Sequence, residues 1–474
     1  MELSTNMNLD TKNIIYSNSS LVDDFGRVFY YKDRIFRGVA AAYKEYTTAL
    51  INSDFFKALQ EKELIVKTWI SEFNTPEFPL ILEHELLHDS KPHQWSFQML
   101  KDAAIHIIEL NNLCGKYGFQ LKDAHPYNVL FKNNKPIFID LGSIVKKSDN
   151  SNTWMAYEQF INYNFVQLLY WSLGDFFAAR KLIEDGNSPS VRVIPMNNIL
   201  ESNVFRPIEN EIFNKVALSR FNDTYILQIL EIFNRISFKL FKKNIKTIHY
   251  RRALKPYNEI INRIHFLEKP NVKSLWSDYH NVYSLNNKIE PPSPRFRKII
   301  EITKGYQQYI DSSVDLAGNQ GIFSELLRKE IPLKKVMLTD YDETAVDKAY
   351  IRFKCNNIPI IPHLYNFMIP LRDSEIEHLK ADIAFALAIT HHLILTQNYH
   401  LRTILERVNF HSKRYVAIEF MPLGLWNGNG EPDIPYWYTQ DWFRKEFQKV
   451  FELILVESLE PNRILFFGKK KEKE

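Results

Sequence analysis

From about Phe296 to the carboxyl end, short apolar runs alternate with segments of helical periodicity. Strands that alternate with helices form parallel βαβ units, so this region predicts a layered α/β sheet. Only Leu459–Asn462 separates the last two runs, which is too short for a helical crossover and predicts an antiparallel hairpin at the end of the sheet. The seven expected strands are Ser313–Leu316, Lys335–Thr339, Pro359–Pro362, Asp382–Ala386, Tyr415–Phe420, Phe451–Ser458 and Arg463–Gly468.

A chain of 474 residues exceeds what a single hydrophobic core usually supports, which predicts two domains. The prolines Pro291, Pro292 and Pro294 remove backbone donors and disfavour helix, so we expect the junction there. The predicted organisation is an amino-terminal domain over 1–285, a linker over 286–295 and the α/β domain over 296–474. Strand patterns at Val28–Val39, Leu64–Ile70 and Leu80–Leu86, followed by helical patterns at Phe97–Tyr117 and Asp223–Phe241, predict an α+β amino-terminal domain.

Charge and cysteine usage limit the classes of partner. A net charge of +4 from 60 basic and 56 acidic residues is close to balance and predicts neither a nucleic acid nor an anionic membrane as partner. Cys114 and Cys355 are too few for a disulfide framework, so a reducing cytoplasm is expected. The sequence contains no apolar stretch of the roughly 18 residues that a membrane-spanning helix requires. It leaves the oligomeric state undetermined.

A small-residue loop follows the first strand of the α/β domain. Gly318 and Gly321 allow the backbone to approach a ligand, and the next helix would present its amide-bearing, positive end. The second strand ends at Asp340, about twenty residues further on, where a carboxylate can accept hydrogen bonds from ribose hydroxyls. These features alone fit either a dinucleotide or another nucleoside cofactor.

Further motifs separate these two possibilities. After Asp315 and its loop come Asp340, Asn366 behind the third strand, His391-His392 behind the fourth, and the terminal hairpin. This ordered set resembles class I S-adenosylmethionine-dependent methyltransferases from Phe296 to Lys469. The phrases Ala386–Leu393 (ALAITHHL) and Ile418–Pro422 (IEFMP) are similar to a bacterial group that includes nodulation-protein-type methyltransferases.

The resemblance implies a Rossmann-like fold and S-adenosylmethionine as cofactor. It implies that Asp315, Gly318 and Gly321 line the methionine part of the cofactor, Asp340 the ribose and Asn366 the adenine. It also implies cofactor contacts from Ala317, Asn319 and Ala388. Two departures affect this carry-over: Ala317 stands where many members have glycine, and Asn366 stands where aspartate is common. An asparagine oxygen can still accept a hydrogen bond, without the charge.

The sulfonium of the cofactor already carries an activated methyl group, so the protein mainly has to orient a nucleophile and exclude water. His391 and His392 follow a strand end where α/β active sites form, and either is a candidate general base for a hydroxyl acceptor. The alternative is that they pack against the cofactor or cap the next helix. An aromatic stretch, containing Trp426, Tyr436, Trp437 and Tyr438, either covers a substrate or forms a hydrophobic flap.

The amino-terminal domain carries a second motif set. In Leu121–Phe131, Asp123 is followed five positions later by Asn128, and Ile139–Gly142 places Asp140 in an Asp-Leu-Gly element. This is the spacing of a kinase catalytic loop and its metal-binding element: one carboxylate orients the attacking hydroxyl, while the asparagine and the second aspartate hold magnesium. Residues 1 to about 285 therefore resemble the protein-kinase-like fold of aminoglycoside and choline kinases. The resemblance implies Asp123 as catalytic residue, Asn128 and Asp140 as metal ligands, and ATP and magnesium as ligands.

Two departures leave the activity of this domain open. Gly26–Gly38 contains no glycine-rich phosphate loop, and Leu121 replaces the usual histidine. Lys67 is either the phosphate-pairing lysine or an exposed lysine at a strand end. The leading hypothesis is a methyltransferase with a kinase-like accessory domain that acts on a small molecule, a carbohydrate or a specialised-metabolite intermediate. The alternatives are a bifunctional kinase-methyltransferase that modifies one acceptor and a non-catalytic binding or scaffold protein.

Overall fold

The computed structural model describes residues 7–148, 153–184, 258–270, 293–370, 376–426 and 431–471. The chain divides into two compact units. Unit 1 comprises Met1–Leu87, Leu100–Phe131 and Pro136–Pro270, and unit 2 comprises His88–Met99, Lys132–Lys135 and Asn271–Glu474. The expected linker at 286–295 and the helix at Asp223–Phe241 lie largely or wholly outside the described residues, so the domain boundaries stay predictions.

Unit 2 contains a seven-stranded sheet in the order β14-β13-β12-β15-β16-β18-β17. The five strands β12, β13, β14, β15 and β16 are parallel to one another. Strand β18 runs antiparallel to both β16 and β17. This confirms the predicted Rossmann-like α/β sheet with its terminal antiparallel hairpin. The strands are β12 (Ser312–Leu316), β13 (Lys335–Asp340), β14 (Ile361–Leu364), β15 (Ala381–Ala386), β16 (Ser412–Phe420), β17 (Phe451–Glu460) and β18 (Arg463–Lys470).

Helices bury both faces of this sheet, and successive strand residues face opposite cores. Ala384 and Ala386 belong to the core that contains α11 and α12, while Ile383 and Phe385 belong to the core that contains α8, α9 and α10. Each fully buried aliphatic or aromatic side chain contributes about 1.5–3 kcal/mol. The helices are α8 (Pro294–Lys304), α9 (Ile322–Glu330), α10 (Glu343–Cys355), α11 (Leu401–His411) and α12 (Gln440–Val450).

The third strand begins two residues later than the expected Pro359–Pro362. The Ile358 N–H donates to the Phe353 carbonyl at 2.8 Å and closes the end of α10, and the Ile360 N–H donates to the Ile358 carbonyl at 2.9 Å. Pro359 therefore lies in a turn, and the strand starts at Ile361.

Unit 1 contains a five-stranded antiparallel sheet in the order β2-β3-β4-β7-β5. The expected strand Val28–Val39 is a hairpin, because Lys32 and Asp33 adopt positive φ values of 48° and 59° and reverse the chain. Of Leu64–Ile70 only the last three residues form a strand. The strands, with two short ones outside this sheet, are β1 (Met7–Asn8), β2 (Ile15–Tyr16), β3 (Gly26–Tyr31), β4 (Arg34–Val39), β5 (Thr68–Ile70), β6 (Phe73–Asn74) and β7 (Leu80–His84).

The remaining part of unit 1 is mainly helical. The helix expected at Phe97–Tyr117 is α3 (Phe97–Lys116). The other described helices are α1 (Lys44–Ile51), α2 (Asp54–Glu61), α4 (Tyr157–Phe160), α5 (Val166–Ser172), α6 (Phe176–Glu184) and α7 (Asn258–Phe266), and the short strands are β8 (Phe119–Leu121), β9 (Val129–Lys132), β10 (Lys135–Phe138) and β11 (Ile144–Lys146). Within the described ranges, none of the helices has both the length and the apolar character needed to cross a membrane.

Candidate functional site

The loop between β12 and α9 has a tightly constrained backbone. Ala317, Asn319 and Gly321 all have left-handed φ values, of 56°, 53° and 74°. A Cβ on Gly318 would lie 2.5 Å from Leu338 Cδ1 and even nearer the Asp315 carboxylate, so this position requires glycine. The Gly318 N–H donates to the Thr339 carbonyl at 3.1 Å, which ties the loop to β13.

Asp315 lies at the floor of this loop and is only 3% exposed. Its Oδ2 accepts a hydrogen bond of 2.8 Å from the Ser324 hydroxyl. Burial raises the pKa of Asp315 to about 7, although the Ser324 hydrogen bond opposes that rise. A carboxyl with this pKa exchanges its proton near neutrality and favours a cationic ligand when ionised.

Asp340 ends the neighbouring strand β13 and is also buried. Its two oxygens accept from the backbone N–H groups of Asn319 at 2.7 Å and Asp342 at 2.8 Å. Burial raises the pKa of Asp340 to about 6, and these N–H groups oppose the rise. Two carboxyls with raised pKa values therefore stand at adjacent strand ends, where Rossmann-like folds bind ligands.

An open cavity lies over these strand ends. Most of the predicted cofactor residues line it, namely Asp315, Ala317, Gly318, Asn319, Asp340 and Ala388. Ala388 has a left-handed φ of 52°. Like Ala317, it therefore adopts a backbone conformation that glycine adopts more readily than other residues.

Two predicted cofactor residues do not line the cavity. Gly321 precedes α9, and a Cβ there would lie 2.7 Å from Phe353 Cζ, so the absence of a side chain allows close packing behind the loop. The Asn366 Oδ1 accepts from the Met368 N–H at 3.0 Å and thereby closes a local turn. Their predicted contacts with the cofactor stay predictions.

The histidine pair is divided between the cavity and the core. The two rings are 4.0 Å apart, but only His392 lines the cavity. His391 is 4% exposed, and burial, the neighbouring His392 and Arg463 lower its pKa to about 3. Burial also lowers the pKa of His392. The structure therefore favours His392 over His391 as a group that can contact an acceptor, and the base role of either stays a prediction.

Sequence reasoning missed several residues of the cavity wall. Arg295 opens α8 and lines the cavity near Asp315, where its charge lowers the pKa of that carboxyl against the larger effect of burial. Arg295 Nε lies 3.5 Å from Oε1 of the fully buried Glu419, whose Oε2 lies 3.2 Å from Arg463 Nη1. The other missed wall residues are Phe296, Phe323, Tyr341, Leu387, Ile389 and Gln397. Leu387 and Ile389 belong to the phrase Ala386–Leu393 but were given no role, whereas the other four follow or precede a motif and have only a tertiary signal.

The aromatic stretch contains both buried and exposed side chains. Tyr438 is 1% exposed and packs against Phe420 with ring centroids 5.0 Å apart. Tyr436, by contrast, is 96% exposed, and Trp437 packs edge-on against Trp442 at 4.9 Å. Residues 427–430, including Gly428 and Gly430, lie outside the described ranges. The stretch thus has an anchored end and an exposed end, and both roles considered for it remain open.

In unit 1, backbone hydrogen bonds bring the three kinase-like positions to one place. The Ile139 N–H donates to the Asn128 carbonyl at 2.9 Å, and the Lys122 N–H donates to the Ser143 carbonyl at 2.8 Å. Asp123, Asn128 and Asp140 are all half-buried. The Asp123 Oδ1 accepts from the His125 N–H at 2.8 Å. Within the described ranges, no group of three or more His, Cys, Asp or Glu side chains could hold a metal ion.

One basic residue at this place, which sequence reasoning did not identify, is Arg37. Arg37 lies on β4, and its Nη2 is 3.5 Å from Asp140 Oδ1. Lys67, the sequence candidate, is exposed and precedes β5. Arg37 is one of two arginines in the strand RIFRGV and has no distinctive spacing, so only the pairing of β4 with β7 identifies its place.

The strand order of unit 2 is that of a Rossmann-like sheet that ends in an antiparallel hairpin. No family model matches the sequence. The chain is similar to the nodulation protein NoeA of Rhizobium meliloti (strain 1021), with 25% identity over 432 residues that cover 85% of this chain and 84% of that protein.

Two solved structures show local similarity to this chain. The PH0226 protein from Pyrococcus horikoshii OT3 has 16% identity and a TM-score of 0.34, covering 41% of this chain and 99% of that one. The N-methyltransferase NodS from Bradyrhizobium japonicum WM9 has 11% identity and a TM-score of 0.29, covering 39% of this chain and all of that one (100%).

Proposed function

We propose that this protein is an S-adenosylmethionine-dependent methyltransferase whose cofactor site is the cavity over β12 and β13. The observation that carries the proposal is the pair of buried carboxyls, Asp315 and Asp340, at adjacent strand ends of this fold, joined by a loop that excludes a side chain at Gly318. The cofactor has a cationic amino-acid end and a ribose. An ionised Asp315 favours the cationic amino-acid end, and Asp340 can accept hydrogen bonds from the ribose hydroxyls.

The bound cofactor would supply the activated methyl group, and the residues of this chain would bind, orient and exclude water. Apolar wall residues such as Phe296, Leu387 and Ile389 exclude water from the cavity. His392, at the cavity wall, is the group that would accept a proton from a hydroxyl acceptor. Asn366 remains the proposed adenine contact, together with the Tyr341 ring that lines the cavity.

We assign the acceptor to small molecules, carbohydrates or specialised-metabolite intermediates in the cytoplasm. The near-balanced charge of the chain does not favour a nucleic acid. The similarity to a nodulation protein is consistent with a specialised metabolite or carbohydrate, and exposed aromatic rings such as Tyr436 and Trp437 suit such an acceptor.

Label transfer tests this proposal. Purified protein is incubated with methyl-labelled S-adenosylmethionine and a metabolite extract from the native host lacking the gene, and products are separated by mass spectrometry. We expect one labelled product class, which Asp315→Ala abolishes. The absence of both label transfer and cofactor binding in the unaltered protein would overturn the proposal and favour a non-catalytic binding protein.

A second candidate function is a bifunctional enzyme in which unit 1 phosphorylates the same acceptor. The sheet order of unit 1, the convergence of Asp123, Asn128 and Asp140, and the basic residue on β4 support a kinase-like module with ATP and magnesium as ligands. The test is ATP consumption that depends on the acceptor. If Asp123→Ala abolishes this consumption and Asp315→Ala retains it, the bifunctional enzyme is favoured over a purely accessory role of unit 1.

A further inference from the structure

Three residues directly before β3 form what we term the acidic segment, Asp23-Asp24-Phe25. Asp23 Oδ2 lies 2.5 Å from Arg37 Nη1, and the Arg37 side chain is 8% exposed. The Asp23 Oδ1 also accepts from the Phe25 N–H at 3.0 Å, which fixes the direction of the carboxylate. The buried guanidinium therefore already has a close carboxylate partner.

The second carboxylate of the segment faces a second cation. Asp24 Oδ1 lies 3.6 Å from Lys122 Nζ, and Asp24 Oδ2 accepts from the Tyr43 hydroxyl at 2.7 Å. The Tyr43 hydrogen bond and the charge of Lys122 lower the pKa of Asp24, so it is ionised at neutral pH. Lys122 directly precedes Asp123, the predicted catalytic residue.

Phe25 anchors the segment over the Asp-Leu-Gly element. A Cβ on Gly142 would lie 2.9 Å from Phe25 Cγ, so the ring rests directly on that glycine. The Phe25 carbonyl accepts from the Ala40 N–H at 3.0 Å, and its ring lies 5.3 Å from the Tyr43 ring. The segment is thus held by backbone, aromatic and ionic contacts together.

Asp140, the predicted metal ligand, is engaged in the same cluster. Its Oδ1 accepts from the Gly142 N–H at 3.1 Å and lies 3.5 Å from Arg37 Nη2, and its Oδ2 accepts from the Ser143 hydroxyl. Arg37 and Lys122 therefore already contact three carboxylates in this cluster, and among the described residues the buried Arg37 Nε has no hydrogen-bond partner.

We propose that the acidic segment occupies the phosphate position of unit 1, so that a polyphosphate ligand binds only after Asp23 and Asp24 leave Arg37 and Lys122. Carboxylates and phosphates bind guanidinium groups by the same charge-assisted hydrogen bonds, and Arg37 cannot serve both at close range. A phosphate near Asp23 and Asp24 would also meet two like charges. The segment thereby holds unit 1 in a self-inhibited state, and this inference rests on the proposed kinase-like role of unit 1 and not on the methyl-transfer proposal.

Calorimetric titration of the full chain with ATP, with and without Mg²⁺, tests this inference. The variants are Asp23→Asn, Asp24→Asn and the double variant, and the matched control is Asp33→Asn, the same change at the exposed turn of the β3–β4 hairpin. Hydrogen bonds to charged groups predict a gain in ATP affinity of about tenfold or more for the double variant, and the control should match the unaltered protein. Adding Arg37→Gln to the double variant should remove that gain.

Asp23→Asn leaves a buried arginine with one partner fewer, so circular dichroism should accompany each titration. If Asp23→Asn fails to fold, Asp24→Asn serves alone, because Asp24 is largely exposed. Equal ATP affinity in the unaltered protein and in the folded variants would overturn the inference. The absence of ATP binding in the unaltered protein and in every folded variant would also overturn the inference, because removal of the carboxylates would then have opened no ATP site.

Discussion

Binding of the methyl donor should depend strongly on pH because burial raises the pKa of its proposed partner, Asp315, to about 7. This raised pKa corresponds to a cost of about 4 kcal/mol for ionising the buried carboxyl. At about pH 5.5 roughly 3% of Asp315 is ionised, and at about pH 8.5 roughly 97%, as the titration of one group requires. If the cationic end of the ligand binds the ionised form, its affinity rises about 30-fold over this range.

The assay is calorimetric titration with S-adenosylhomocysteine at the two pH values. This demethylated product is stable and keeps the ammonium group. Asp315→Asn cannot titrate and should bind weakly, with a flatter pH profile; the residual slope would come from Asp340, whose pKa is about 6. An affinity that changes less than about threefold in the unaltered protein would refute the electrostatic role of Asp315.

The raised pKa of Asp315 also makes the folding stability of the protein depend on pH, and here the stability falls as the pH rises. Because the folded state holds the Asp315 proton more tightly than the unfolded state, this group stabilises the fold fully below about pH 4, and that contribution is lost as the pH rises through about 7. The unaltered protein should therefore lose this contribution between acid and mildly alkaline pH, whereas Asp315→Asn has no such contribution to lose. Relative to the unaltered protein, the variant should not lose thermal stability over this pH range. A variant that becomes progressively less stable than the unaltered protein as the pH rises would contradict this sign.

Three further changes test other parts of the site. Gly318→Ala should lower the stability of unit 2 by about 1–3 kcal/mol and abolish donor binding, because the new methyl group meets Leu338 and Asp315. Thermal melts measure the stability and calorimetry measures the binding. Normal donor binding in this variant would contradict the close packing at Gly318. Ser324→Ala should raise the pKa of Asp315 and move the pH dependence of donor binding to higher pH by about 1 unit, and an unmoved profile would show that the hydroxyl does not matter. His392→Ala should lower turnover by about 100-fold for a hydroxyl acceptor, while His391→Ala should affect mainly stability; the reverse pattern in turnover assays would exclude His392 as the base.

The parts of the fold that follow from local pattern were predictable from the sequence. Apolar runs of strand length with helical spacers fixed the order of the α/β elements, and the short turn before Arg463 indicated the terminal hairpin. The sequence also indicated the candidate cofactor residues Asp315, Gly318 and Asp340, because their spacing is that of one strand, one tight loop and the next strand. The beginning of β14 was misplaced because the Ile358 N–H closes the preceding helix and Pro359 lies in the turn that follows, and both depend on hydrogen bonds that the local pattern does not show.

The parts that depend on tertiary contact were not predictable. Arg295 precedes the first strand and reaches the cavity only because α8 packs on the sheet. Arg37 gains its place from the pairing of β4 with β7, and Asp23 meets it only because the segment before β3 folds back. The hairpin at Lys32-Asp33 did carry a local signal, since two polar residues interrupt the apolar alternation there.

Calorimetric titration of the unaltered chain with S-adenosylmethionine and S-adenosylhomocysteine, with NAD⁺ as control, tests the central claim most directly. Both nucleoside and dinucleotide ligands suit a loop of this kind, so the comparison separates them. The account predicts one molecule of either methyl-donor ligand bound per chain, loss of that binding in Gly318→Ala, and no binding of NAD⁺. Binding of NAD⁺ instead, or no binding of either methyl-donor ligand at millimolar concentration, would contradict it.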